Sequence, residues 1–402
     1  MATYNFDQLV ERKNTNSIKW EYYQDYIPAA PPDALPLWVA DMDFPCAKPI
    51  VQALRNRVDC QIFGYSNFRT PEYLNAVTGW FKRRFDWEVD SKNIFYSPGV
   101  VTAIAVLINF LTKPGEGILI QRPVYYPFTN KIEANGRLVV NNPLTYNDGR
   151  YSINFADLEQ KMAHHNTKGM ILCSPHNPVG LVFSVDELLK IVEICRRLGK
   201  WVIADEIHAD LIRNGVTHYP LEKVAPHYKD QIITCTSPSK TFNMPGLKIS
   251  NIIINNPTWQ NAWNHQAAEC LAISLANPLS IKAVEAAYIE GEEWLTQLKN
   301  YIDENIEFAA AYLKDNLPEA RLVYPEGTYL LWIDLRAYCQ DHQALERLMH
   351  DEAKLILDQG YFFGDEGIGF ERINAACPRS ILEECLQRMT KALLSRPTSG
   401  QF

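Results

Sequence analysis

The stretch Gln231–Ser250, QIITCTSPSKTFNMPGLKIS, joins an apolar run, Gln231 to Cys235, to a polar loop carrying Ser237, Ser239, Lys240 and Lys248. A run apolar nearly throughout reads as a strand buried on both faces, the habit of parallel sheets. Two earlier stretches repeat the pattern. Gly169 to Cys173 is followed by SPHNPVG with Asn177, and Lys200 to Ala204 by DEIHADL with Asp205 and His208. Further apolar runs occupy Ile118 to Gln121, Arg137 to Val140 and Ile252 to Ile254. In an open α/β sheet, ligands sit at the carboxyl ends of strands. Three strand ends therefore deliver an amide, a carboxylate and an amine to one edge.

Helical patterns lie between these runs. The clearest is Val185 to Leu198, with Ser184 as N-cap, Glu187 as its capping-box partner and Gly199 at the C-terminal end. Strand and helix in alternation predict a mainly parallel α/β sheet covered on both faces. From about Val284 a charged amphipathic helix is expected to run to Leu317, stopped by Pro318. A strand over Tyr329 to Leu335 follows, with helices near Gln343 to Glu352 and Ser380 to Leu394. The expected division is a large domain over 46–283 and a smaller α+β domain made of 1–45 and 284–402. The tail, RPTSGQF, is expected to fray.

The 402 residues allow a large core, with 47% hydrophobic and 21% charged residues and a formal net charge of -8. Charges of both signs are interleaved, which argues against a nucleic-acid or membrane surface. The nine cysteines form no C-x-x-C pair and make a poor disulfide framework or zinc site. Cys173 and Cys235 sit in apolar runs as small core residues. No signal peptide opens the chain, and the longest apolar stretch, Val100 to Ile108, is too short to span a bilayer. A soluble protein of the reducing cytoplasm is expected. Asp41 and Asp43 in ADMDF resemble a metal pair but lack a third ligand at suitable spacing, so no metal is expected.

An amine, a buried acid and an amide at one edge suit pyridoxal 5′-phosphate chemistry. The cofactor is an electron sink whose ring nitrogen must stay protonated, and a buried carboxylate favours that state. The lysine must form an imine and then serve as a base, which calls for a desolvated amine. The turn SPGVV places Gly99 before an apolar helix, whose unpaired N–H groups and dipole favour a phosphate dianion.

The segment S-x-S-K-T-F-N-x-x-G-L-K, together with SPHNPVG, DEIHADL and SPGVV, resembles the fold-type-I pyridoxal-phosphate enzymes of the class I/II aminotransferase superfamily. More narrowly, LPLWVADMDFP, GYSNF, DEIH and SKTFNMPGLK are similar to the MalY/PatB group of cystathionine β-lyase-like C–S lyases. The likeness runs from about Trp38 to Arg372. It implies a seven-stranded large domain and a smaller α+β domain, with Lys240 as the Schiff-base lysine and proton shuttle. It also implies that Asp205 pairs with the pyridinium, Asn177 meets the phenolic oxygen beside His208, and Tyr125 stacks on the ring. Gly99, Val100, Val101, Ser237, Ser239 and Lys248 would hold the phosphate, and Tyr65 would reach it from the neighbouring subunit of a homodimer. Arg372, with Ala40 and Asn177, would bind the substrate carboxylate.

The implied reaction is β-elimination from cystathionine or another S-substituted cysteine, giving pyruvate, ammonia and a thiol. Transamination on the same site is the alternative. A regulatory protein that uses the fold to bind the cofactor is more remote: such a sensor is expected to add a DNA-binding segment, and none is read before Met42.

Overall fold

The computed structural model describes residues 3–395; the tail expected to fray lies outside them. Its centre is a seven-stranded sheet made of β1 (Ile94–Ser97), β2 (Gly117–Ile120), β3 (Leu138–Asn141), β4 (Thr167–Cys173), β5 (Trp201–Asp205), β6 (Ile232–Thr236) and β7 (Ser250–Ile254). The spatial order is β1-β7-β6-β5-β4-β2-β3, and only β7 runs against its neighbours. The six apolar runs each fall on a strand. One reading needs correction: β3 is an edge strand, and Leu138 is 54% exposed rather than buried on both sides.

Helix α1 (Val100–Leu111) follows β1, and α2 (Val185–Arg197) links β4 to β5. The start of α2 carries the expected capping box. Ser184 Oγ accepts from the Glu187 N–H (3.3 Å), and Glu187 Oε2 accepts from the Ser184 N–H (2.8 Å). Gly199 closes the helix at φ +63°, a left-handed conformation that glycine adopts without strain.

The single long helix expected from Val284 is in fact two, α3 (Pro278–Glu290) and α4 (Glu292–Asn316), broken at Gly291. A Cβ on Gly291 would lie 2.4 Å from the Ala287 carbonyl oxygen and 2.4 Å from Phe242, so the break depends on the missing side chain. The α3 segment packs on the helices Lys48–Asp59 and Pro71–Phe85, while α4 leads towards the second sheet. That sheet is antiparallel, in the order β8 (Arg321–Val323), β9 (Leu330–Asp334), β11 (Phe370–Asn374), β10 (Asp358–Gln359). Helix α5 (Arg379–Leu394) follows β11.

The N-terminal segment joins this second body: Leu35–Pro36 pairs in parallel with Leu355–Ile356, and the Asp43 N–H donates to the Ala376 carbonyl (3.0 Å). These contacts support the division we propose, a large unit over 46–283 and a smaller one of 1–45 with 284–402, with Val284–Glu290 lying against the large unit.

Candidate active site

Lys240 sits in one helical turn, Pro238–Thr241, directly after β6. Ser237 Oγ caps the turn by accepting from the Ser239 N–H (3.1 Å), and Thr241 Oγ1 donates to buried Asp210 (3.0 Å). Asp210 is itself held by the Trp80 indole N–H (3.2 Å) and by Arg84 (3.2 Å), so the turn is fastened at both ends.

A cavity of about 480 Å3 opens above these strand ends. Its wall brings together Ala40, Gly99, Val100, Val101, Tyr125, Asn177, Asp205, His208, Ser237, Ser239, Lys240 and Lys248, a group gathered from six separate segments of the chain. Two expected residues stand apart. Arg372 is buried on β11 and touches the wall through Asn177, its Nη1 donating to Asn177 Oδ1 (3.0 Å). Tyr65 is 97% exposed and does not line the cavity of its own chain.

The strap over residues 37–44 crosses the site beside the lysine loop. Asn243, at φ +54°, accepts from the Met42 N–H (2.9 Å) and donates to the Met42 (3.0 Å) and Phe44 (2.9 Å) carbonyls. The strap's own carbonyls then receive side chains of the site. Trp38 takes Arg372 Nη2 (2.9 Å), Val39 takes Asn374 (2.8 Å), and Ala40 takes both Lys240 Nζ (2.7 Å) and the Tyr329 hydroxyl (2.8 Å). Asp41 and Asp43 make ion pairs: Asp41 with Arg12 (3.0 Å), Asp43 with Arg12 (2.7 Å) and with buried Lys19 (2.7 Å).

Burial sets the electrostatics. Loss of water pushes the Lys240 amine down to about 8, with Arg372 adding to the fall and the Asp41 and Asp205 carboxylates opposing it. At neutral pH a usable fraction of the amine is therefore unprotonated, as a general base requires. Asp205 is pushed up to about 7, chiefly by burial and further by Glu206, against the Ile207 N–H it accepts and the charge of Lys240. His208 is pushed down to about 3 by burial and by the Lys240 and Arg372 cations; it is a neutral imidazole whose Nδ1 has no partner among the described residues.

These groups fit pyridoxal phosphate. A buried acid this poorly stabilised as an anion gains most from a cation such as a protonated ring nitrogen. Helix α1 starts at Val100 with no side chain capping its first turn, so its N–H groups face the cavity as an anion cradle beside Lys248. The orphaned His208 nitrogen and the Asn177 amide line the cavity and would supply polar contacts for a ring substituent. Sequence reasoning missed Thr102 and Cys173, which also line the cavity, and Tyr329 and Asp358, which hold other site residues. Thr102 follows the SPGVV turn and could have been found from it. The other three lie inside apolar runs or pair across strands and leave no local signal.

Comparison with known proteins settles the family. The model for aminotransferase class I and II matches residues 32–389. The chain belongs to that family. Within it, the chain is 40% identical to "Cystathionine beta-lyase PatB" of Bacillus subtilis, over 97% of this chain and 100% of that one. It is 35% identical to "Protein MalY" of Escherichia coli, over 97% and 99%. Among solved structures, cystalysin from Treponema denticola with pyridoxal 5′-phosphate superposes with a TM-score of 0.94 at 38% identity, covering 98% of this chain and 99% of that one. The fold is therefore fold type I, and the family's cofactor is pyridoxal phosphate. Among the described residues, no helix is long and apolar enough to cross a membrane.

Proposed function

We propose that this chain is a pyridoxal-phosphate-dependent carbon–sulfur β-lyase that cleaves L-cystathionine or other S-substituted L-cysteines to pyruvate, ammonia and a thiol. The observation that carries the reading is the meeting of Lys240, Asp205 and Asn177 on one cavity wall. Full-length similarity to a protein named cystathionine beta-lyase gives the reaction its direction.

The cofactor, when bound, supplies a sink for the electron pair left on the substrate's α-carbon. This chain's own groups do the rest. Val100, Val101 and Gly99 at the start of α1, with Ser237, Ser239 and Lys248, would hold the phosphate. Tyr125 would cover the ring face, Asp205 would keep the ring nitrogen protonated, and Asn177 with His208 would hold the phenolic oxygen. Arg372 grips the substrate carboxylate, close to Ala40 and Asn177. Lys240 Nζ takes the α-proton, and the resulting ammonium rests on the Ala40 carbonyl until the leaving sulfur takes that proton.

Incubation of purified protein with cystathionine and no keto acid is expected to yield pyruvate and thiol together. If neither forms, and glutamate appears once 2-oxoglutarate and an amino donor are added, the chain is an aminotransferase and the lyase reading fails.

We further propose a homodimer in which Tyr65 reaches the neighbouring site's phosphate. Its support is the exposure of Tyr65 beside Ile62 (72%) and Phe63 (61%), an apolar cluster that costs free energy in water. Sedimentation is expected at twice the chain mass of 46.0 kDa. A fully active monomer would remove Tyr65 from the mechanism. The sulfur amino acid is the only partner needed besides the second copy, and the reducing cytoplasm suits nine free cysteines.

A further inference from the structure

Arg372 has few hydrogens to spare. Nη1 donates to Asn177 Oδ1 (3.0 Å), and Nη2 donates both to the Trp38 carbonyl (2.9 Å) and to Asp358 Oδ2. Nη2 carries two hydrogens, so both are engaged. Nε has no partner among the described residues, and the Phe363 ring covers the guanidinium at 5.0 Å. A carboxylate held by a two-pronged grip needs parallel N–H groups along one edge of the guanidinium, and both usable edges include Nη2. One of the two acceptors on Nη2 must therefore yield when substrate arrives.

The two acceptors are unequal. Trp38 offers a neutral carbonyl on the strap. Asp358 offers a buried carboxylate on β10, directly opposite Arg372 in the β10–β11 register. Hydrogen bonds between ionised partners are the stronger kind, and a buried cation stripped of its counter-ion is strongly penalised.

We propose that Asp358 is a positioning residue of the carboxylate site: it keeps one Nη2 hydrogen and aims the guanidinium, while the substrate carboxylate takes the place of the Trp38 carbonyl. This rests on the reading of Arg372 given above. Asp358 never touches substrate. It fixes the plane and direction of the group that does.

The test is exchange of the α-proton of L-alanine in deuterated water, followed by NMR. This reaction needs the carboxylate grip and Lys240 but no leaving group, so it separates the present inference from the lyase reading. Asp358→Ala is expected to raise KM for exchange by roughly thirtyfold, with kcat within about threefold of the parent. Asp358→Asn, which still accepts from Nη2, is expected to recover most of the loss. Alaninamide, which has no carboxylate, is expected to be handled alike by all three proteins, with unchanged cofactor absorbance.

An unchanged KM overturns the proposal. So does a KM that falls, as removal of a competing anion alone would produce, or an equal loss with alaninamide. If Asp358→Ala does not fold, Asp358→Ser takes its place with the same rise in KM expected, and a fall in cofactor content and kcat along with binding would show a purely structural role and overturn the proposal. Absence of exchange in the parent protein overturns this inference and the reading of the site together. Exchange without pyruvate from cystathionine sinks only the lyase reading.

Discussion

Lys240→Ala is expected to lower turnover of cystathionine by at least about a thousandfold, near the upper end of what a positioned general base contributes. The size follows from the surroundings of the amine. It is half-buried, among the described residues its side chain bonds only the Ala40 carbonyl (2.7 Å), and loss of water holds it at about 8. No other lysine can substitute, because Lys248 lies on the exposed side of the cavity, in a left-handed turn at φ +53°. Borohydride treatment of the parent protein is expected to fix a pyridoxyl group on the peptide containing residue 240, and to fix none in the variant. Labelling of a different lysine, or a variant retaining a tenth of the parent rate, would refute the assignment. Cofactor content is expected to fall less than turnover, since the phosphate cradle proposed at α1 is built from other residues.

Asp205→Asn should cost about a hundred- to a thousandfold in kcat, comparable to removing one preorganised electrostatic contact at a reacting centre. The substitution keeps shape and takes away charge. Asp205 lies at the end of β5, walled by buried Cys173 and Cys235, and its pKa is up at about 7 despite the charge of Lys240. A protonated ring nitrogen would draw that proton affinity back down, and the same interaction keeps the ring protonated. This mutual dependence is what asparagine cannot reproduce. The check is kcat together with the visible spectrum. A variant that binds cofactor normally and turns over within about threefold of the parent would show that the carboxylate is structural.

Much of this site was legible from the chain because a doubly covered sheet announces itself. Its strands are apolar without alternation, so the first polar residues after each one mark the strand's carboxyl end. Asn177, Asp205 and Lys240 were found that way, and the family resemblance then supplied Tyr125, Arg372 and Tyr65. The capping box of α2 was equally plain, being written within four consecutive residues.

What escaped notice depends on distance along the chain. Tyr329 reads as one more aromatic at the start of an apolar strand, and Asp358 as an acid between short elements. Their meaning comes from Ala40 and Arg372, each far away in sequence. The Gly291 break sat in plain view within I-E-G-E-E, yet the amphipathic pattern on either side ran through it. The exposed face of β3 was missed because hydrophobicity alone cannot tell an edge strand from a central one.

The strap has a consequence for how the molecule comes into being. A ribosome delivers residues 37–44 early, but their partners Tyr329, Arg372 and Asn374 emerge only near the end of synthesis. A nascent chain that has emerged through β7 can already form the sheet and the cradle at α1, since domains generally fold as units during translation. Until the last strands arrive, the Trp38 and Val39 carbonyls lack their Arg372 and Asn374 donors, and Ala40 lacks Tyr329. Vitamin capture can thus precede completion of the polypeptide, while catalytic competence waits for its final fifth to emerge.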